Sequence, residues 1–296
     1  MRVLFCGTSG GGDNFELDRA NASVLVEHAG TSVLLDCGGG SLRQLVAGGK
    51  RLTDIRAVAI SHLHHDHVLG LAELFGRLVA LNAGDLPPVY GPVGTADFVA
   101  RVVEMVKPLV RRDAVDLSEY RARDVAPGAD IRVGEIVLEP FEVRHAQELQ
   151  CYGWRVSAGG KVVVYSGDTA AVPEIMIPIA QDADLLIHDA FSTEALASLR
   201  LNAAERIRAR FGGSVSPEEL QARLIERDER LVRFPEIHGA AREVGLLASA
   251  ARSRMLALTS IGRTEKVASL EAEVRSGYVG ALVTASDGLS IDLGGI

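Results

Sequence analysis

The chain has 296 residues, 47% of them apolar and 24% charged, with a formal net charge of −8. That composition suits a globular protein long enough for one large core or two fused halves, and the lack of an apolar run of about 18 residues excludes a membrane-spanning helix. The acidic balance counts against a general nucleic-acid binder, and the scattered Cys6, Cys37 and Cys151 exclude a disulfide framework and read as buried, reduced thiols.

Residues 2–6 are too short an apolar stretch for a secretory signal and read as a strand, which places the protein in the cytoplasm. Residues 23–28 and 32–36 read as two more strands, bounded by Gly-rich or Asn-containing turns. Residues 57–61 are the short apolar run of a buried strand, and the apolar positions of 69–82 and 94–107 fit helical faces. Strand patterns return at 136–143, 151–157 and 161–166, followed by a short helix near 172–180 and a strand at 184–187. From 192 to 234 the composition turns to Ala, Arg, Glu and Leu, with Gly212-Gly213 and Ser216-Pro217-Glu218-Glu219 between two helical stretches. Ser followed by Pro and acids is a helix start, so this segment predicts an inserted helical hairpin. A helix at 239–252, a strand at 254–259, a helix at 264–275 and strands near 280–284 and 289–293 complete the chain. This order predicts layers of helices over sheets, and by itself leaves open a four-layer sandwich and a doubly wound sheet. With no repeat, low-complexity tract or linker, residues 1–296 read as one domain carrying the insertion at about 192–234.

The informative segment is His62-Leu63-His64-His65-Asp66-His67, directly after the strand at 57–61. His62, His64, Asp66 and His67 crowd four metal-ligand side chains into six residues, and imidazole with carboxylate suits Zn, Mn or Fe. Protonated imidazoles would repel one another there, whereas a cation makes the arrangement favourable and keeps the rings neutral.

This HxHxDH segment resembles the metallo-β-lactamase superfamily, in the branch that holds ribonuclease Z, arylsulfatase-like enzymes and small phosphodiesterases. Gly7-Thr8-Ser9-Gly10 with residues 21–27 resembles that family's opening hairpin, and Leu34-Leu35-Asp36-Cys37-Gly38 its next strand and turn. The resemblance implies an α/β fold, the four-layer αββα sandwich, with metal at the edge between two sheets. It also implies that His145, after Phe141-Glu142-Val143, and Asp168, in Ser166-Gly167-Asp168-Thr169, are ligands. His62, His64, His145 and Asp168 then hold one divalent ion, and Asp66, His67 and Asp168 contribute to a second, zinc being the first expectation and manganese or iron the others. Bound water becomes the nucleophile.

One position departs from the family. Its last ligand is a histidine after a C-terminal strand, where this chain has Ser260 in Leu258-Thr259-Ser260-Ile261. A neutral hydroxyl is a poor zinc ligand, so one or two ions per chain remain open, as does a catalytically impaired scaffold. His188-Asp189-Ala190-Phe191 and His238-Gly239-Ala240-Ala241 resemble the branch's proton-donating pair, with Asp in place of Glu. His238 is then the general acid, Asp189 its partner, and Asp66 the third catalytic candidate. Such a pair favours expulsion of an alkoxide.

About twenty residues separate His145 from Asp168, too few for the arm with which short ribonucleases Z grip tRNA. With the acidic charge, this predicts that tRNA is not a partner, that the substrate is a small anion and that no membrane is involved. The mixed charges of 192–234 suit a solvated face, a homodimer contact, or a lid offering an arginine to substrate. Hydrolysis of a small phosphodiester is the leading expectation; a lactonase or sulfatase-type ester hydrolase and a ligand-binding scaffold are the alternatives.

Overall fold

The computed structural model describes residues 1–11, 19–81, 86–109, 121–201, 203–210, 215–262 and 264–295. Gly212-Gly213, read above as the break between two helices, lies outside the described residues.

The first sheet is built from β1 (Arg2–Gly7), β2 (Ser23–His28), β3 (Thr31–Leu35), β4 (Ile55–Ala59), β5 (Val89–Gly91), β6 (Ala122–Asp124) and β14 (Ser290–Asp292), in the order β14-β1-β2-β3-β4-β5-β6. The second holds β7 (Ile131–Val133), β8 (Ile136–Glu142), β9 (Tyr152–Ala158), β10 (Lys161–Tyr165), β11 (Leu185–Asp189), β12 (Met255–Thr259) and β13 (Ala281–Thr284), in the order β13-β12-β11-β10-β9-β8-β7. Each sheet begins with antiparallel pairs and continues in parallel ones, from β3 to β6 in the first and from β10 to β13 in the second.

Strand periodicity of two builds the layers. Val33, Leu35, Ala57 and Ala59 point between the sheets, where they meet Trp154, Tyr165, Leu185 and Ile187. Their neighbours Leu34, Val58 and Ile60 point the other way, under α1 (Ser41–Ala47), α3 (Gly70–Ala80) and α4 (Thr95–Val106). On the far side Leu186, Leu256 and Leu258 pack beneath α5 (Pro173–Ala180), α9 (Ala241–Ala250) and α10 (Val267–Arg275). The result is helix, sheet, sheet, helix, which decides between the two architectures left open by element order.

Several expectations shift. β4 ends at Ala59 rather than at 61, because the Ser61 N–H leaves the ladder and donates to Asp36 Oδ1 at 2.6 Å. The short β5, β6 and β7, three residues each, went unread because so short a strand carries no periodicity. Among the described residues the segment read as a helical hairpin carries the helical runs α6 (Thr193–Leu201), α7 (Ala203–Arg210) and α8 (Pro217–Arg233). The start of α8 is as expected, with Ser216 accepting a hydrogen bond from the Glu219 N–H at 3.1 Å and Pro217 in the first turn. Among the described residues no helix is long and apolar enough to cross a membrane.

Candidate metal centre

β4 delivers His62 and His64 to the C-terminal edge of the first sheet, and the four-residue α2 (His65–Val68) brings Asp66 and His67 back onto the same point. From the second sheet come His145 after β8, Asp168 after β10 and Asp189 at the end of β11. Gly167 before Asp168 has φ +59, and a Cβ there would lie 2.8 Å from Ser61 Cβ and 2.9 Å from the Tyr152 carbonyl, so only glycine lets the two sheet edges meet this closely.

The site residues expected from the sequence converge, and His65, never among them, is exposed. His62 Nε2 stands 2.9 Å from His64 Nδ1, and His145 Nε2 stands 3.1 Å from the same atom. His67 Nε2 lies 3.5 Å from Asp168 Oδ2 and 3.8 Å from Asp66 Oδ2. His62, His64 and His145 form one potential ligand group, and His62, His67 and Asp168 another. Asp66 Oδ2 also accepts the Gly11 N–H at 3.1 Å.

The outer nitrogens decide what the inner ones carry. His145 Nδ1–H donates to the Ile237 carbonyl at 2.9 Å, and His67 Nδ1–H to Asp36 Oδ2 at 2.7 Å. The Ser61 hydroxyl donates to Asp36 Oδ2 at 2.7 Å, so its oxygen accepts from His62 Nδ1, 3.0 Å away. Neutral His62 and His145 therefore aim lone pairs inward. His64 Nδ1 can carry one proton and satisfy one of them, which leaves the other facing a lone pair. A shared divalent cation resolves that conflict, so the donor set fits a metal.

Electrostatics agree. Burial, reinforced by the His67 charge, holds His62 well below the usual histidine range, and burial followed by His145 lowers His64. Burial also disfavours charge on His67, but Asp168 and Asp36 overcome it and hold that ring well above its usual range. Asp168 is raised by burial and then pulled well below the ordinary carboxylate range, chiefly by His67. The His67 ring thus faces the Asp168 carboxylate at 3.5 Å, beside two imidazoles, His62 and His64, whose charged forms are disfavoured.

Ser260 follows β12 with φ +56, and its hydroxyl donates to Asp168 Oδ1 at 3.1 Å. Gly10 passes so close that a Cβ there would sit 2.3 Å from the Ser260 carbonyl. The side chain in the family's histidine position thus meets the aspartate as a hydrogen-bond donor. His238 Nδ1 lies 2.8 Å from Asp189 Oδ2, so the shorter carboxylate does reach, and the His238 and His145 rings are 4.8 Å apart. Burial opposes charge on His238, but the Asp189 hydrogen bond and the nearby carboxylates raise its pKa above the usual value.

Sequence reading missed Asp36 as a hub. It accepts from Ser61 N–H, the Ser61 hydroxyl, His67 and the Tyr165 hydroxyl, and is wholly buried. The available signal was an aspartate closing the apolar run Val33-Leu34-Leu35, since a buried carboxylate needs partners. Arg200, Arg223 and Arg230 of α6 and α8 pair with Asp228, Glu219 and Glu226, and Arg233 pairs with Glu236 just beyond α8.

Two helix-flanked sheets meeting at an imidazole and carboxylate cluster define a metallo-β-lactamase-fold protein. The profile of the Beta-lactamase superfamily domain matches residues 31–212, and the chain belongs to that family. Ribonuclease Z of Methanosarcina acetivorans is 28% identical over 246 residues, covering 67% of this chain and 77% of that protein, and ribonuclease Z of Methanopyrus kandleri is 33% identical over 143 residues, covering 48% of this chain and 46% of that protein. Among solved structures, the metallo-β-lactamase fold protein YhfI from Bacillus subtilis matches with TM-score 0.70 at 21% identity, over 98% of this chain and 99% of that one. The short form of human tRNase Z matches with TM-score 0.67 at 20% identity, over 99% of each chain. At these identities the two structures speak to the fold.

The expectation that tRNA is not a partner is overturned, because these relatives are ribonucleases Z and one of the structures is a tRNase Z. Net charge sums the whole surface, whereas nucleic-acid contact needs only a local patch. A short connection between His145 and Asp168 removes one grip on an RNA without altering the reacting centre.

Proposed function

We propose that this chain is a metal-dependent phosphodiester hydrolase. His62, His64, His145 and Asp168 would hold one divalent cation, zinc in the first instance, and Asp66, His67 and Asp168 a weaker second. A divalent cation so held lowers the pKa of bound water toward neutrality and polarises a phosphoryl oxygen. His238, oriented by Asp189, would deliver its proton to the departing alkoxide, and the Asp66 carboxylate, 3.8 Å from His67 Nε2, would steady the attacking water. Ser260 offers Asp168 a hydrogen bond where an imidazole would offer a metal a lone pair, so the two positions are unequal. We also propose that residues 1–296 form one domain, since β14 near one end pairs with β1 near the other, and that it works in the cytoplasm, where its three free cysteines stay reduced.

The observation that carries the reading is the inward lone pairs of His62 and His145 with an aspartate-held imidazole, His238, beside them. A small diester is the simplest substrate for such a centre, and an RNA 3′ extension enters through the ribonuclease Z relatives. The test is zinc content by elemental analysis, then turnover of bis-p-nitrophenyl phosphate and of an RNA with a 3′ extension. We expect metal-dependent cleavage of at least one, abolished by His62→Ala with His145→Ala. A zinc- or manganese-loaded protein that cleaves neither refutes the proposal.

A further inference from the structure

The last turn of the α6–α8 excursion runs directly into the candidate site. After α8 a single 3-10 turn, Phe234–Glu236, leads to Ile237 and His238. One carbonyl pins this turn, for Ile237 N–H and His238 N–H both donate to Phe234 O, at 3.2 and 3.0 Å. The Phe234 ring lies over the His238 imidazole, with centroids 4.4 Å apart and planes 30° apart. The edge of the same ring meets Phe191, 4.9 Å away at 75°.

Phe191 is a fixed support. It is buried, and it brackets His238 from the far side of the turn: its N–H donates to Gly239 O and its carbonyl accepts from Ala241 N–H, both at 2.9 Å. His238 is thus held by Asp189 on Nδ1, by Phe234 on one face and by the His145 ring, 4.8 Å away at 69°. Ile237, between Phe234 and His238, supplies the carbonyl that orients His145. One hydrogen bond fixes a single ring atom and leaves the ring free to swing about it. A flat aromatic face removes that swing.

We propose that Phe234 is a positioning residue for His238, and that through it the docking of α8 sets the geometry of proton donation. This rests on the reading of His238 as the proton donor. The step it serves forms an O–H bond on the leaving oxygen as the P–O bond breaks, the proton coming from His238. A nitrophenolate departs without a proton, whereas an alkoxide needs one, so the two leaving groups separate positioning from general disruption.

The experiment uses the full zinc-loaded chain with Phe234→Leu, Phe234→Ala and Phe234→Tyr, on bis-p-nitrophenyl phosphate and on a dinucleoside monophosphate. For the Leu and Ala variants kcat on the dinucleotide is expected to fall about 10–100-fold, as displacement of a reacting group by about 1 Å does. The nitrophenyl ester should lose no more than about threefold, because its leaving group needs no acid, and Tyr should restore the dinucleotide rate. Equal losses on both substrates, or a Leu variant as fast as the parent, overturn the proposal. Proton NMR gives a readout free of turnover: the His238 ring protons should be shifted upfield by the stacked ring, and Phe234→Leu should abolish that shift. If the parent cleaves neither diester the functional reading fails on its own, and an unshifted His238 signal in the parent then overturns the positioning role separately.

Discussion

Replacing Asp36 with Asn exchanges a carboxylate for an amide of the same shape at the point where both sheets support the candidate metal centre. Four donors close on that carboxylate at 2.6–2.7 Å: Ser61 N–H on Oδ1, and the Ser61 hydroxyl, His67 Nδ1–H and the Tyr165 hydroxyl on Oδ2. In its gentler orientation an amide keeps its oxygen toward the last three and turns its NH2 on the Ser61 N–H. One charge-assisted bond is lost and two buried donors, the Ser61 N–H and the new NH2, are left facing each other, which together cost about 2–6 kcal/mol. His67 then loses its charged anchor, and the affinity for zinc should fall about 10–100-fold, the usual consequence of removing a partner that orients a ligand. Backbone strain does not confound the result, since φ at Asp36 is +56 and Asn adopts the left-handed region readily. Urea denaturation of the metal-free protein measures the first effect, and zinc competition against a chelator the second. A variant within about 0.5 kcal/mol of the parent, as for a neutral surface change, with unaltered zinc affinity would refute the hub argument.

Ser260→His puts an imidazole beside Asp168 in place of a hydroxyl and should raise zinc content from about one ion per chain to about two, the added ring completing a four-ligand site; unchanged stoichiometry by elemental analysis would remove the argument that the two positions are unequal. Asp184 is pushed up by burial, but the Val162 N–H, Lys161 and Arg254 outweigh that and leave its pKa below the ordinary value. Its stabilising contribution is therefore present above the unfolded carboxylate pKa and lost as pH falls through the depressed folded one. Asp184→Asn should cost about 1–3 kcal/mol at pH 7 and progressively less in acid, read from urea midpoints across that window. Burial pushes the Cys6 thiol up to about 12 and raises Cys37 and Cys151, so native protein should react slowly with a disulfide reagent at neutral pH and fully in urea. Fast labelling of any of the three in the native state would contradict their burial.

The chain order of strands and helices was legible because most elements are long enough to show their period. Residues 161–166 and 254–259 read as strands and are β10 and β12, each shifted by no more than a residue. What failed was local. β4 stops two residues short of its apolar run because Asp36, which shares no periodicity with it, captures the Ser61 N–H. Of the candidate site, the residues that converge were legible from one contiguous motif plus two residues in matching order. The exclusion of tRNA was drawn from the short connection between His145 and Asp168 and from a global charge, and such a sum says nothing about a patch.

By itself the sequence determined that His62, His64, Asp66 and His67 lie together, because a chain of six residues cannot carry them far apart. Only the tertiary structure decided which ring nitrogen faces inward. That choice belongs to whatever meets the other nitrogen, and those partners stand 31 residues away for His67 and 92 for His145. Asp189 against His238 and Ser260 against Asp168 are likewise meetings of distant segments, brought about by sheet packing and invisible to any local pattern.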